Sequence, residues 1–433
     1  MKAIRASLLS FAFLVSTEGS LRAVEIADPG LEASIRIALN KVTGEISPED
    51  MESLTHLNAS YLARQRQGAT PLLIQSLQGL EAAANLMVLN LSGHCPKAGR
   101  NCQANVDIFD LAVLENLTKL KQLDLANNQL TELFLPEDMA NLTTLNLSGN
   151  HLTDVELPHG MSHLATLDLS HNQFGHLNLP PDLVALAALN LEGNRLSHLD
   201  IPESISNLMR LDLSENALHS LVLKPELTKL AVVDLESNEF TSFHLHDELT
   251  NLDTVRLGFN RLNTVFLPET LPGLRTLDLA NNQLGGLDLP MELPSLETLV
   301  LDQNEIEAIS LPERIENLRT LSVASNSLAR LLVPRGVTKL SRLIVTKNPI
   351  GEVSIPHKID IERLELLGFD KSQVTVYGGI SIFRSAGGVE LRWTNGILQS
   401  AENIDGPWTN VQGNGGRFSS EIFGPQTFFR THP

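Results

Sequence analysis

The sequence predicts a repeat solenoid: a rod with a parallel β-sheet front face and a mostly extended back side, closed by a helical N-terminal cap and followed by a small all-β C-terminal module. Three observations lead there. Eighty of the 433 residues are leucine, and all but two of them precede residue 370. The pattern Leu-x-Leu-x-x-Asn-x-Leu, seen at Leu123-Asp-Leu125-Ala-Asn-Asn128-Gln-Leu130, returns with its asparagine at 150, 172, 194, 216, 238, 260, 282, 304, 326 and 348, an unbroken interval of 22. After about residue 370 the composition changes, and both tryptophans and several Gly-Gly pairs fall in the remainder.

Composition excludes several classes. With 42% apolar residues, 4% aromatic residues and a formal net charge of −19, the chain is neither a membrane bundle nor a nucleic-acid binder, which would need clustered Lys and Arg to meet phosphates. It is also too apolar for a disordered chain. Residues 1–23 read as a signal peptide. Lys2 and Arg5 open it, Ala6 to Val15 is a largely apolar run, and Ala23 offers a cleavage point. The run is shorter than the roughly 20 apolar residues a membrane-spanning helix needs. Its removal leaves the mature chain at −21, and the expected location is secreted or cell-surface associated.

Residues 24–85 read as a helical cap, because the terminal coil of a solenoid otherwise exposes its core. Asp28 can cap a helix with Pro29 at its first position, and Leu31, Ile35 and Leu39 share one face. Ser47-Pro48-Glu49-Asp50 repeats that start signal ahead of Leu54 and Leu57. The solenoid itself is expected over 86–370, about 12–13 coils by its spacing. Leu89-Asn-Leu91-Ser-Gly-His94 is a degenerate copy with His in place of Asn, and the step from His94 to Asn128 exceeds one repeat by 12 residues. That insertion, near 95–106, holds the only two cysteines. In an oxidising compartment Cys95 and Cys102 read as a disulfide closing a small loop.

Within each repeat, Leu123 and Leu125 alternate at period 2 and face inward on a short strand. Stacked coils then pair their strands in parallel at about 4.8 Å per step. The repeated asparagines turn into the coil, where their amides can satisfy buried backbone groups. The second half of a repeat, as in Leu133-Phe-Leu135-Pro136 or Leu287-Asp-Leu289-Pro290, favours extended chain, because alternation ends in a proline that lacks a donor. From 371 to 433, runs such as Val389-Glu-Leu391-Arg-Trp393 alternate between Gly-rich turns, which reads as a small β module. Trp393 and Trp408 read as its core rather than as a ligand platform.

These residues resemble the leucine-rich repeat family, in a short 22-residue bacterial class, over about two thirds of the chain. Ile26-Ala-Asp-Pro-Gly-Leu-Glu-Ala together with Leu54-Thr-His-Leu57 is similar to the helical N-terminal cap of internalin-like bacterial repeat proteins. Gly396-Ile-Leu-Gln-Ser-Ala-Glu-Asn-Ile-Asp-Gly-Pro-Trp408, with Phe428-Phe429-Arg430, resembles short C-terminal β modules on secreted proteins of environmental bacteria. The resemblance implies an exported bacterial protein.

No Gly-x-Ser-x-Gly, His-Glu-x-x-His, P-loop or dinucleotide-binding fingerprint is present, so neither an enzyme nor a cofactor is expected. Recognition must then come from columns of residues 22 apart. The front-sheet column reads Asp124, Asn146, Asp168, Asn190, Asp212, Asp234, Arg256 and Asp278, then Val300, Ser322 and Ile344. Its first eight members are the candidate binding residues, a largely acidic stripe able to attract a basic peptide, amino sugars or divalent cations. The competing view is that such residues are simply a solvated strand face. A second column, Glu132, Asp154, His176 and His198, sets two imidazoles beside a carboxylate at about 5 Å steps. An exposed polar edge is expected there and no metal site is assigned. The expectation is a secreted, monomeric, non-enzymatic protein that binds a protein or glycan through its front sheet, with no nucleic-acid partner and no membrane span. The alternative is a passive surface or matrix scaffold attached through its C-terminal module.

Overall fold

The computed structural model describes residues 23–61, 63, 73–94, 104, 112–137, 139–377, 380–385, 388–393, 397–401, 409–410, 417–420 and 428–432. Nearly all of the segment read as a signal peptide, the Cys95–Cys102 disulfide, Trp408 and the side chain of Trp393 lie outside these residues.

The N-terminal helix α1, Pro29–Ala38, starts where the sequence places its cap. Asp28 Oδ1 accepts from Gly30 N at 2.8 Å and Leu31 N at 2.9 Å, satisfying donors that a helix start leaves unpaired. Its Oδ2 accepts from Gln75 N at 2.9 Å, which ties the helix to the following coil. A second helix, α2, Pro48–Ser53, carries a capping box: Ser47 Oγ accepts from Asp50 N and Asp50 Oδ2 accepts from Ser47 N. Leu31, Ile35 and Met51 are fully buried and close that end of the core.

Among the described residues the front is one parallel sheet of 14 strands, from His56–Asn58 to Glu365–Leu367. From Gln122–Asp124 to Arg342–Ile344 each strand pairs with residues 22 positions away. The sheet therefore begins inside the segment read as cap, with Leu57 in register with Leu89 and then Leu123. The final strand, foreshadowed by Leu364-Glu-Leu366, pairs Leu343 with Leu366.

The back is extended but only locally laddered. Ser242–His244 pairs with Thr264–Phe266, and Arg330–Leu332, Glu352–Pro356 and Thr375–Tyr377 form a three-stranded parallel sheet. Between front and back runs a continuous leucine core from Leu31 to Leu364, in which Phe174 and Phe240 stand fully buried in a leucine column. Beyond it, Ile380–Ser385, Gly388–Trp393 and Arg417–Ser420 form one antiparallel sheet, and Ile397–Ala401, Thr409–Asn410 and Phe428–His432 another.

The asparagine ladder holds the coils together. In Asn172, Nδ2 donates to the carbonyls of Leu147, Leu169 and Ser170, while Oδ1 accepts from Leu152 N at 3.0 Å. The same set recurs down to Asn348, whose Nδ2 reaches Val323, Val345 and Thr346 and whose Oδ1 takes Leu328 N. One amide thus satisfies backbone groups of two coils, a need created by burying a turn in a solenoid.

Candidate functional site

The front strands are three residues long, and the middle residue enters the core while its two neighbours face outward. The eight residues proposed from sequence all occupy the third strand position and lie in register as a single file: Asp124, Asn146, Asp168, Asn190, Asp212, Asp234, Arg256 and Asp278. Asn58 and Asn90 extend the file toward the N-terminal end.

Each acidic or amide member has a local task. Asp168 Oδ1 accepts from Ser170 N at 3.0 Å and Ser170 Oγ at 2.7 Å. Asn146 and Asp212 make the same pair of bonds to Ser148 and Ser214. Asp124, Asn190, Asp234 and Asp278 accept from the backbone two residues on. These side chains cap the strand end as Asx turns, so the acidic stripe is in part a folding device. Arg256 departs from the pattern: its Nη1 lies 3.0 Å from Asp234 Oδ2 and neutralises that carboxylate.

The turn uses one oxygen of each carboxylate, and the electrostatics of the rest is strained. Burial pushes the Asp124 and Asp278 carboxyls above their ordinary value, against the lowering effect of their backbone bonds; Asp168 adds to the rise at Asp124, and Asp302 and Asp234 add to it at Asp278. Glu192 and Glu236, two positions beyond the column, are raised by partial burial and then by neighbouring acids, including Asp234 for both. His171, with Nε2 3.9 Å from Glu192 Oε1, and Arg256 offset this without reversing it. The strands from Ala188–Asn190 to Thr276–Asp278 therefore carry uncompensated negative potential.

Three features were not read from the sequence. Asp302 reaches across to the next coil and accepts from Ser322 Oγ at 2.6 Å and Ala324 N at 2.7 Å, supplying the turn where the column has lost its acid. Each of the eleven coils from Asp124 to Ile344 also places the residue three beyond the column in the left-handed region: Asn127, Gly149, His171, Gly193, Glu215, Ser237, Phe259, Asn281, Gln303, Ser325 and Lys347. Phe259 holds this conformation at φ +54° and is 54% exposed. Finally, Asn141, Asn207, Asn251 and Asn317 form an exposed second ladder, each donating to a carbonyl of the preceding coil.

Among the described residues no group of three His, Cys, Asp or Glu side chains is arranged to hold a metal ion. In the column of Glu132, Asp154, His176 and His198, Asp154 Oδ1 accepts from the neighbouring Val155 N at 2.9 Å. Among the described residues no helix is long and apolar enough to cross a membrane.

Comparison with known proteins agrees with this geometry. A family profile described as Leucine Rich repeats (2 copies) matches residues 140–181 and 272–313, and one described as Leucine Rich Repeat matches 119–139. No curated protein sequence is a significant match. Among solved structures, an internalin from Listeria monocytogenes is 22% identical with a TM-score of 0.61, covering 79% of this chain and 95% of its own. The functional domain of InlJ from the same organism is 21% identical with a TM-score of 0.56, covering 77% and 76%. A leucine-rich repeat protein of Leptospira interrogans is 25% identical with a TM-score of 0.54, covering 76% and 81%. Likeness at this level shows the fold, and with the 22-residue register and the asparagine ladder it identifies the chain as a leucine-rich repeat solenoid.

Proposed function

We propose that the chain is an exported, non-enzymatic binding protein that recognises a protein or glycan through the front sheet of its solenoid. The observation that carries the reading is the single file from Asp124 to Asp278. Its acidic members share one face in register, and burial and mutual repulsion raise carboxyls at both ends of the file. A fold under no other demand could cap these strands with asparagine throughout, as it does at Asn146 and Asn190. The aspartates at 168, 212 and 234 add charge that the turn does not require. Such charge draws a cationic surface from solution and weakens as salt screens it over about 8 to 10 Å.

The test is capture by the purified full chain from envelope and culture extracts across a salt series. Binding partners should be retained at low salt and released at moderate salt. The double variant Asp212→Lys, Asp234→Lys should abolish capture. Because lysine also removes two turns, the pair Asp212→Asn, Asp234→Asn, which keeps the turn acceptor, should weaken capture with an unchanged unfolding midpoint. Capture indifferent to both pairs sinks the reading in favour of a passive scaffold.

A further inference from the structure

The third strand position has a job in this fold, and the last four strands decline to do it. From Asn58 to Asp278 the position holds Asn or Asp in every strand but one, and each of these side chains accepts from the backbone two residues on. Then come Val300, Ser322, Ile344 and Leu367, in register with Asp278 and with one another. Ser322 is served by Asp302, but Val300, Ile344 and Leu367 carry no acceptor. A turn bond of this kind is net stabilising, so local structure favours the polar residue at Val300 and Ile344. Packing does not explain the exchange either. The strand's inward residue is its neighbour, Leu299 or Leu343, both fully buried, while Val300 and Ile344 stay half-buried and Leu367 is 39% exposed.

The charge on this face changes at the same boundary. Over the five strands before it, Glu192, Asp212, Glu215, Asp234, Glu236 and Asp278 face two cations, Arg210 and Arg256. Beyond it, Asp302 is occupied by its turn, Arg342 pairs with Glu365 at 3.5 Å, and Lys347 is exposed. The third-position file is thus acidic along its middle and, apart from Ser322, apolar toward its C-terminal end, where the flanking Arg342 and Glu365 pair with each other. Phe259 stands exposed within the acidic part, where bulky residues are rarely found in the left-handed region.

Resting on the front-sheet reading, we infer that this face is a two-part docking surface for one polypeptide segment, its basic half over the strands of Asn190 to Asp278 and its apolar half over Val300, Ile344 and Leu367. Charge complementarity fixes the basic half. Val300, Ile344 and Leu367, continuing the same file, select a polypeptide over a glycan, whose hydroxyls would leave those side chains without contact. The nine strands from Ala188–Asn190 to Glu365–Leu367 span about 38 Å, the reach of about twelve extended residues.

The test measures binding of labelled synthetic peptides of that length to the full chain by fluorescence anisotropy. One peptide joins a Lys/Arg-rich half to a Leu/Val-rich half, one is basic only, one is apolar only, and one scrambles the first. The joined peptide should bind about tenfold tighter than each of the other three. Val300→Asn with Ile344→Asn should remove that advantage while leaving the unfolding midpoint unchanged or higher, since both restore a turn acceptor. Glu236→Gln with Asp278→Asn should weaken the basic-only peptide and flatten its salt dependence. Equal binding of the joined, basic-only and scrambled peptides, or no binding by the joined peptide, overturns the inference. If capture from extracts still depends on Asp212 and Asp234 in that case, the front-sheet reading survives without it.

Discussion

At the scale of single residues, the asparagine ladder does the work that the sequence interval implies. Asn172 is almost fully buried and bridges two coils with four hydrogen bonds. Asn172→Ala leaves Leu152 N without a partner and removes one of two donors from each of the Leu147, Leu169 and Ser170 carbonyls, at about 1–3 kcal/mol for the buried amide. A loss of about 1–3 kcal/mol in urea unfolding is expected, and a change below about 0.5 kcal/mol would remove the ladder from the account of stability. Identical chemistry at an identical interval made this role legible. The left-handed column was not, because His171, Glu215 and Phe259 are not residues that announce positive φ. Phe259→Asn should therefore raise stability by about 0.5–1 kcal/mol, as asparagine tolerates that region where a bulky side chain is strained. The same substitution should weaken peptide binding, so that the two readouts move in opposite directions.

At the scale of elements, helix starts were legible and the first strand was not. Asp28-Pro29 and Ser47-Pro48 each begin a helix as written. His56–Asn58 was read as part of the cap because its second inward position is Ala59 rather than leucine, which breaks the repeat pattern even though Leu57 and Ala59 are both buried. Asp28→Ala should cost about 1–2 kcal/mol, and should raise hydrogen exchange first in α1 and at Gln75, whose amide it also holds. The front strands carry the pH dependence. Burial raises Asp124, Glu192, Glu236 and Asp278 above their ordinary values. In the window between the ordinary and the raised values the folded chain therefore holds protons that the unfolded chain has released. Stability gains as pH falls into the window, and the gain is lost as pH rises through the raised values. Asp50, lowered by its bonds to Lys41 and Ser47, acts in the opposite sense and only at more acid pH. The unfolding temperature should be higher at about pH 5 than at neutral pH, and Glu192→Gln with Glu236→Gln should flatten the difference. A monotonic fall toward acid in the parent chain would contradict it.

At the scale of the whole molecule, each coil meets chiefly its two neighbours, so periodicity alone was enough to lay out sheet, core and rod. A ligand is not periodic, and what marks one is departure from the repeat: Arg256, Phe259, Val300 and Ile344. The same one-dimensional build decides how charge acts on stability. Ion pairs link successive coils at Asp253–Arg275, Glu239–Arg261, Glu297–Arg319 and Glu365–Arg342, all with at least one largely exposed partner. Exposed pairs of this kind contribute about 0–1 kcal/mol each and weaken in salt. Opposing them is a net charge of −19, with the file's acids adjacent at Asp212 and Asp234 and otherwise two coils apart, about 10 Å, still inside the Debye length at low ionic strength. At low ionic strength each acid of the file repels the others over several coils and the net charge opposes the compact state as a whole, whereas each ion pair acts over one solvated contact, so screening should relieve more strain than it removes. The unfolding temperature of the full chain should therefore rise as sodium chloride increases from about 10 mM to about 300 mM and level off beyond, once the Debye length approaches the coil spacing. A fall over that range would mean that the inter-coil pairs outweigh the acidic stack, and the front face would then lack the uncompensated field on which its recognition of a cationic partner depends.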